Sequence, residues 1–164
     1  NSGHIKFNCG QTIESFDEEK LLNNLDKLSI NDHQGSHFAP HCVHSNIWRE
    51  IGGFSEEFNP GIGSDPDFNM KLWKIGCRIF KGLSAFKVYH FGSLTTRKNK
   101  KVKQNRGDKT FLKKWGISTS FFKKYYLRSG TIYNGPLKEP KKNVFYFFDL
   151  LKCKIKYFFI KSIT

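Results

Sequence analysis

Residues 52–76, GGFSEEFNPGIGSDPDFNMKLWKIG, constrain the fold more than any other stretch of the chain. Gly52, Gly53, Gly61 and Gly63, with Asn59 and Pro60, interrupt regular structure through its first half and force the backbone into turns. The second half reverses that character. Phe68, Leu72 and Ile75 recur at helical spacing, Pro66 suits a first helical position, and Gly76 supplies a stop. The pattern predicts a helix from Asp65 to about Ile75, with Asp65 and Asp67 in the first turn, where the positive end of the helix dipole favours carboxylates. A glycine-rich turn, Gly63 and Ser64 included, therefore delivers two acids to one helix N-terminus.

The flanking chain reads as a mixture of helices and short strands. Leu21, Leu22, Leu25 and Leu28 predict a surface helix over 17–28 behind an acidic first turn. Residues 31–44 read as a His- and Gly-rich loop, and Ser45 as the N-cap of a short helix that Gly52-Gly53 ends. RIFKGLSAFKVYHF predicts two short strands meeting near Gly82-Leu83 and finishing near His90. Residues 97–106 hold six Lys/Arg in ten positions and read as a solvated loop. Helices are predicted from Asp108 to Trp115 and from a Ser118 cap to about Leu127. The fold class expected is α/β, a short mixed sheet flanked by helices with a C-terminal helical extension. The expected organisation is residues 1–96 as the main α/β part, 97–142 as basic loop and helical extension, and 143–164 as an amphipathic tail.

Charge is the other constraint. Residues 1–60 hold 4 Lys/Arg against 9 Asp/Glu, whereas 61–164 hold 24 against 5. The basic part favours polyanions: nucleic acid, anionic lipid headgroups or a diphosphate. In NVFYFFDLLKCKIKYFFIKSIT, four lysines and Asp149 argue against a spanning helix and for an interfacial one, resting on an anionic membrane surface with its lysines snorkelling. Cys9, Cys42, Cys77 and Cys153 form no CxxC pair and read as reduced thiols of a cytosolic protein. The start at Asn1-Ser2-Gly3, without an apolar leader, reads as an interior cut of a longer protein.

Individual residues admit two readings each. Asp65 before Pro66 is either a chemically active carboxylate or an ordinary N-cap. His33, His37, His41 and His44 have spacings that could align on a helix for zinc, but Gly35 and Pro40 interrupt it. Trp48 and Phe54 can stack on an apolar ligand face or pack in the core, where Trp48 is expected to contact Ile51 and Phe54. Thr95, Thr96, Arg97 and Lys98 suit diphosphate oxygens or a solvated loop. His90, ending an apolar strand, reads by itself as a hydrogen-bonded structural residue. A nucleic-acid-binding reading of 97–128 would need Phe111, Trp115, Phe121, Phe122, Tyr125 and Tyr126 for stacking, yet their helical spacing buries them.

Trp48, Ile51, Gly52, Gly53, Phe54, Glu56 or Glu57, Phe58, then Asp65 and Asp67, then His90, resemble the C-terminal half of family-2 inverting glycosyltransferases of the GT-A fold. The resemblance covers about Pro40 to Leu94. It implies transfer of a sugar from a nucleotide-diphospho-sugar donor to a saccharide or lipid-linked acceptor, with Asp65 as general base and Asp67 as the trailing acid. Ser64 stands where the family's first acid usually does. His41 and His44 become acceptor contacts. His90 becomes a ligand of Mn²⁺ or Mg²⁺, a cation expected only together with an upstream DxD half. Without that half, the 164-residue chain is expected to be inactive alone. The resemblance and the tail together imply a cytoplasmic protein peripheral on the inner face of the cytoplasmic membrane, extending a cell-surface polysaccharide. The rival readings are an inert membrane-surface adaptor and the nucleic-acid-binding module.

Overall fold

A computed structural model of the chain describes residues 4–28, 30–91 and 105–162. Six α-helices are described: α1 Glu18–Leu22, α2 Ser45–Ile51, α3 Ser64–Lys74, α4 Gly107–Trp115, α5 Thr119–Phe121 and α6 Val144–Ser162. The described sheet has two strands of two residues, β1 His33–Gln34 and β2 Lys81–Gly82, paired antiparallel. The fold is thus broadly α/β and dominated by helix. The expected mixed sheet is corrected to this antiparallel pair.

The helix α3 is central because it is buried on most of its circumference: Phe68, Met70, Leu72 and Trp73 are all 4% exposed or less. Packed around it are Phe58 from a 3₁₀ turn at Glu56–Phe58, Phe111 and Leu112 from α4, Phe121 from α5 and Phe122 just after it. Tyr146 and Cys153 of α6 complete the same cluster. One core therefore runs through all three expected segments, since Phe58, Phe111 and Cys153 belong to it together. Burying each such phenylalanine contributes about 1.5–3 kcal/mol relative to leaving it in water.

Several predicted elements appear with changed ends. The helix over 17–28 breaks into α1 and a 3₁₀ turn at Leu25–Leu28, and neither buries a residue. Without a core beneath it, the leucine stripe has nothing to hold a long helix together. The cap of α2 is His44 and not Ser45: the His44 Nδ1 accepts from Asn46 N at 3.2 Å. Ser118 does cap α5, its hydroxyl accepting from Phe121 N at 3.1 Å, and the helix continues as a π-helical turn at Phe122–Tyr126.

The two strands expected across residues 78–91 reduce to β2. Beyond it the chain exposes Leu83, Phe86 and Val88, at 53%, 66% and 59%. Alternation of apolar residues cannot make a strand without a neighbour to complete the ladder. Tyr89 instead ties this stretch to the N-terminal loop: its hydroxyl accepts from Cys9 N and donates to the Gly10 carbonyl, both at 2.8 Å.

The turn before α3 depends on Gly63, which takes φ +92° as the N-cap. A Cβ there would lie 2.8 Å from a ring carbon of the buried Phe58. Gly63→Ala is expected to lower stability by about 1–3 kcal/mol through backbone strain and this clash, read as a lower urea midpoint. Asn105 holds the turn from the other side, donating to the Phe58 carbonyl at 2.7 Å and to Ile62 at 3.1 Å.

Charged ties at the periphery predict a pH dependence. Asp149 on α6 accepts from Lys124 at 2.7 Å and from Tyr125 at 2.8 Å, which holds its carboxyl down at about 2. Asp32 is held low in the same way by Lys81 and Ser84. Because both folded values lie below the ordinary 3.8, this stabilisation is complete above that pH and is lost as the pH falls below it. Urea midpoints measured downward from pH 6 should therefore drop below about pH 4, and Asp149→Asn should flatten that drop.

Candidate functional site

The acids of α3 part company. Asp67 has no exposed surface. Its carboxylate accepts from Ser55 Oγ at 2.6 Å and Trp115 Nε1 at 2.8 Å, and pairs with Lys114 at 3.0 Å. Lys114 also reaches Glu57 at 2.6 Å. Asp67 thus fastens α3 to α4 and to the loop before the 3₁₀ turn, with no surface open to solvent.

Asp65, the second residue of α3, keeps 27% of its side chain exposed. It is not the N-cap; Gly63 is, and no side chain caps this helix. The Asp65 carboxylate instead accepts a backbone hydrogen bond from Ala39 and lies 4.0 Å from His41 Nδ1. Burial raises the Asp65 pKa above 3.8, outweighing the lowering by His41 and by the Ala39 hydrogen bond. The helix dipole alone would hold such a carboxylate strongly ionised; desolvation reverses the balance and makes it a stronger base.

His41 is held between these groups. Its ring packs against Phe68 at 5.2 Å and Phe54 at 6.3 Å between centroids. Burial lowers its pKa below 6.5, against the pull of Asp65, so it is neutral at pH 7. Asn69 Nδ2, one turn along α3, lies 3.3 Å from His41 Nε2 and donates to the Asp65 carbonyl at 2.7 Å. Asn69 Nδ2 also lies 3.3 Å from the His37 carbonyl, so its two hydrogens are shared among three acceptors; when one goes to His41 Nε2, the ring proton is on Nδ1, the atom that faces Asp65.

An aromatic surface adjoins this group. Trp48 and Phe54 meet edge to face at 5.5 Å, pack on buried Phe68 from outside, and remain 41% and 43% exposed. They cover the core on one side and leave ring surface exposed on the other. Lys71 fixes them by donating to the Ile51 carbonyl at 3.1 Å and the Gly53 carbonyl at 2.7 Å, at the C-terminal end of α2. Ser64 closes the turn by donating to the Gly61 carbonyl at 2.7 Å.

The remaining candidates lie elsewhere. His44 is occupied as the cap of α2. His90 is exposed at the end of the unpaired stretch. His33 packs over Gly82, whereas buried His37 bonds Gly35 and Ser129. The four histidines do not converge on zinc, because no helix aligns them. Among the described residues no three His, Cys, Asp or Glu side chains are grouped to hold a metal, at His90 or elsewhere. Thr95, Thr96 and Arg97 lie outside the described residues.

Sequence reasoning passed over Asn69, Lys71 and Lys114, and gave Trp115 no part beside Asp67. For Asn69 a signal existed: an uncharged polar residue inside a run that is otherwise buried has to find partners. The partners of Asp67, 47 and 48 residues away along the chain, left no such trace.

The chain matches no family model, no curated protein and no solved structure.

Proposed function

We propose that the chain carries the acceptor side of an inverting glycosyl transfer, with Asp65 as the general base. The observation that carries this reading is Asp65 itself. It is a half-buried carboxylate of raised pKa that caps no helix, beside a neutral imidazole and an exposed aromatic surface.

In such a transfer Asp65 takes the proton of an acceptor hydroxyl as that oxygen bonds to the anomeric carbon, and the bond from that carbon to the donor's diphosphate breaks on the opposite face. A base is useful when its pKa lies closer to the working pH than an ordinary carboxylate's, which partial burial supplies. His41 is a positioning residue, and Asn69 orients it. Trp48 and Phe54 suit the apolar face of an acceptor sugar. Asp67 holds the helix that aims Asp65. The nucleotide-sugar donor, and the Mn²⁺ or Mg²⁺ that would neutralise its diphosphate, belong in this reading to a separate half bearing the DxD acids.

Burial of Phe111, Phe121 and Phe122 supports this reading over a nucleic-acid module, because these rings are not free to stack on bases. The inert adaptor is separated from the enzyme by activity. The test is transfer from a panel of sugar nucleotides by the protein at its full natural length, wild type against Asp65→Asn. Equal rates would remove Asp65 from the chemistry, and absence of turnover with every donor would favour the adaptor.

A further inference from the structure

We infer that α6 seats the protein on an anionic lipid bilayer through the face turned away from the core, with a basic cleft at its N-terminal end receiving a lipid phosphate. This inference stands apart from the glycosyl-transfer reading, since it uses none of the residues around Asp65.

The helix has two apolar faces, and one is already used. Tyr146 and Cys153 are buried, and Leu150, Tyr157 and Ile160 pack on the same core. Opposite them, Phe147, Phe148, Leu151, Ile155, Phe158 and Phe159 remain between 49% and 68% exposed. At 3.6 residues per turn these six form a stripe about 120° wide.

What covers this stripe is indicated by its borders. Lys152 and Lys156 fall along one edge, and Lys154 and Lys161 along the other, by the same periodicity. Lysines on both edges let the apolar stems lie beside acyl chains while the ammonium groups reach headgroup phosphates. A second copy of this helix would set lysine against lysine along both edges. The sole acid on α6, Asp149, is tied to Lys124, Tyr125 and Lys152, so of the edge lysines it offsets Lys152 alone. Among the described residues no helix is long and apolar enough to cross a membrane, so the stripe suits a helix lying in the interface plane.

The cleft adds an independent observation. Lys124, Tyr125, Arg128, Lys141 and Asn143 line a space of about 260 Å³ where α6 begins. Arg128 and Lys141 supply phosphate-binding chemistry there, while Lys124 shares its charge with Asp149. Asn143 adjoins Val144 and Phe145, which are 80% and 73% exposed. The cleft therefore opens beside the start of the apolar surface, where a headgroup would lie if acyl chains met the stripe.

The experiment is co-sedimentation of the full-length protein with vesicles of phosphatidylcholine alone and of phosphatidylcholine with phosphatidylglycerol, at low and high salt. Binding to the anionic vesicles is expected, weakening with salt. Leu151→Glu with Ile155→Glu should lower it about tenfold or more by placing charges mid-stripe. Lys154→Gln with Lys156→Gln should lower it about fivefold per lysine, on anionic vesicles alone. Lys141→Gln tests the cleft and should weaken anionic-vesicle binding by a similar factor. All these side chains are outside the core, so circular dichroism and urea midpoints should match wild type. Failure of wild type to prefer anionic vesicles would overturn the inference. So would a concentration-dependent dimer that the double Glu variant abolishes, which would assign the stripe to self-association. Unchanged vesicle binding by Lys141→Gln, with inorganic phosphate still bound by the wild type, would remove the headgroup from the cleft.

Discussion

Asp65→Asn, in the protein at its full natural length, is expected to lower sugar transfer by about two orders of magnitude or more, the range for loss of a general base. Its fold should survive. Asn keeps an oxygen to accept the Ala39 N–H, and it removes a carboxylate whose ionised form burial disfavours. Because the folded pKa of Asp65 lies above its ordinary 3.8, ionisation costs folding stability above that pH, and the neutral amide escapes the cost. A large loss of rate with an unchanged or slightly raised urea midpoint is therefore the signature of a chemical role. The pH profile supplies a second readout. Activity should rise with pH through an apparent pKa above 3.8 as Asp65 ionises. His41→Gln removes an interaction that lowers the Asp65 pKa, so it should move that limb further up. A limb that stays in place in His41→Gln would show that the two side chains are not coupled.

Asp67→Ala should act in the opposite way, on stability first. Removing one partner of a buried pair costs about 3–5 kcal/mol, out of roughly 5–15 kcal/mol for a whole domain. The physical reason is that three donors are stranded together: Ser55 Oγ, Trp115 Nε1 and the Lys114 ammonium. Lys114 is 28% exposed and pairs with Glu57 as well, so water and that acid recover part of the loss on its side. The check is urea unfolding of Asp67→Ala, Lys114→Ala and the double variant. The double variant should lose less than the sum of the singles, because removing the ammonium also removes the need for its counter-charge. Additive losses would mean that Asp67 and Lys114 do not support each other. Activity lost by Asp67→Ala should track the fraction unfolded, in contrast to Asp65→Asn.

These two neighbours show why a motif cannot distinguish roles within itself. Asp65 and Asp67 are two residues apart on one helix, so their Cβ atoms point about 200° apart around its axis. One side meets α4 and the other meets the loop at 37–41. Nothing local to the motif records this, because both contacts come from segments remote in sequence. The same reasoning covers Asn69 and His41, whose meeting requires the 37–41 loop to lie along α3. It covers the strand expected after β2 as well: apolar residues are present in LSAFKV, but among the described residues no partner strand pairs with them.

Local chemistry was enough wherever a decision is made within one or two turns. Gly63 and the turn before α3, the apolar face of α3 itself, the Ser118 cap and the helix ending at Trp115 all follow from steric freedom, periodicity and a side-chain oxygen within reach of a backbone N–H. So does the double character of the last helix, whose aromatic residues and lysines can be read off the sequence. Which half of its surface faces the core, which acid of α3 is buried, and which histidine meets Asp65 were decided by tertiary structure alone. Burial and charge pairing depend on what packs across a helix, and that partner is chosen by the collapse of the whole chain.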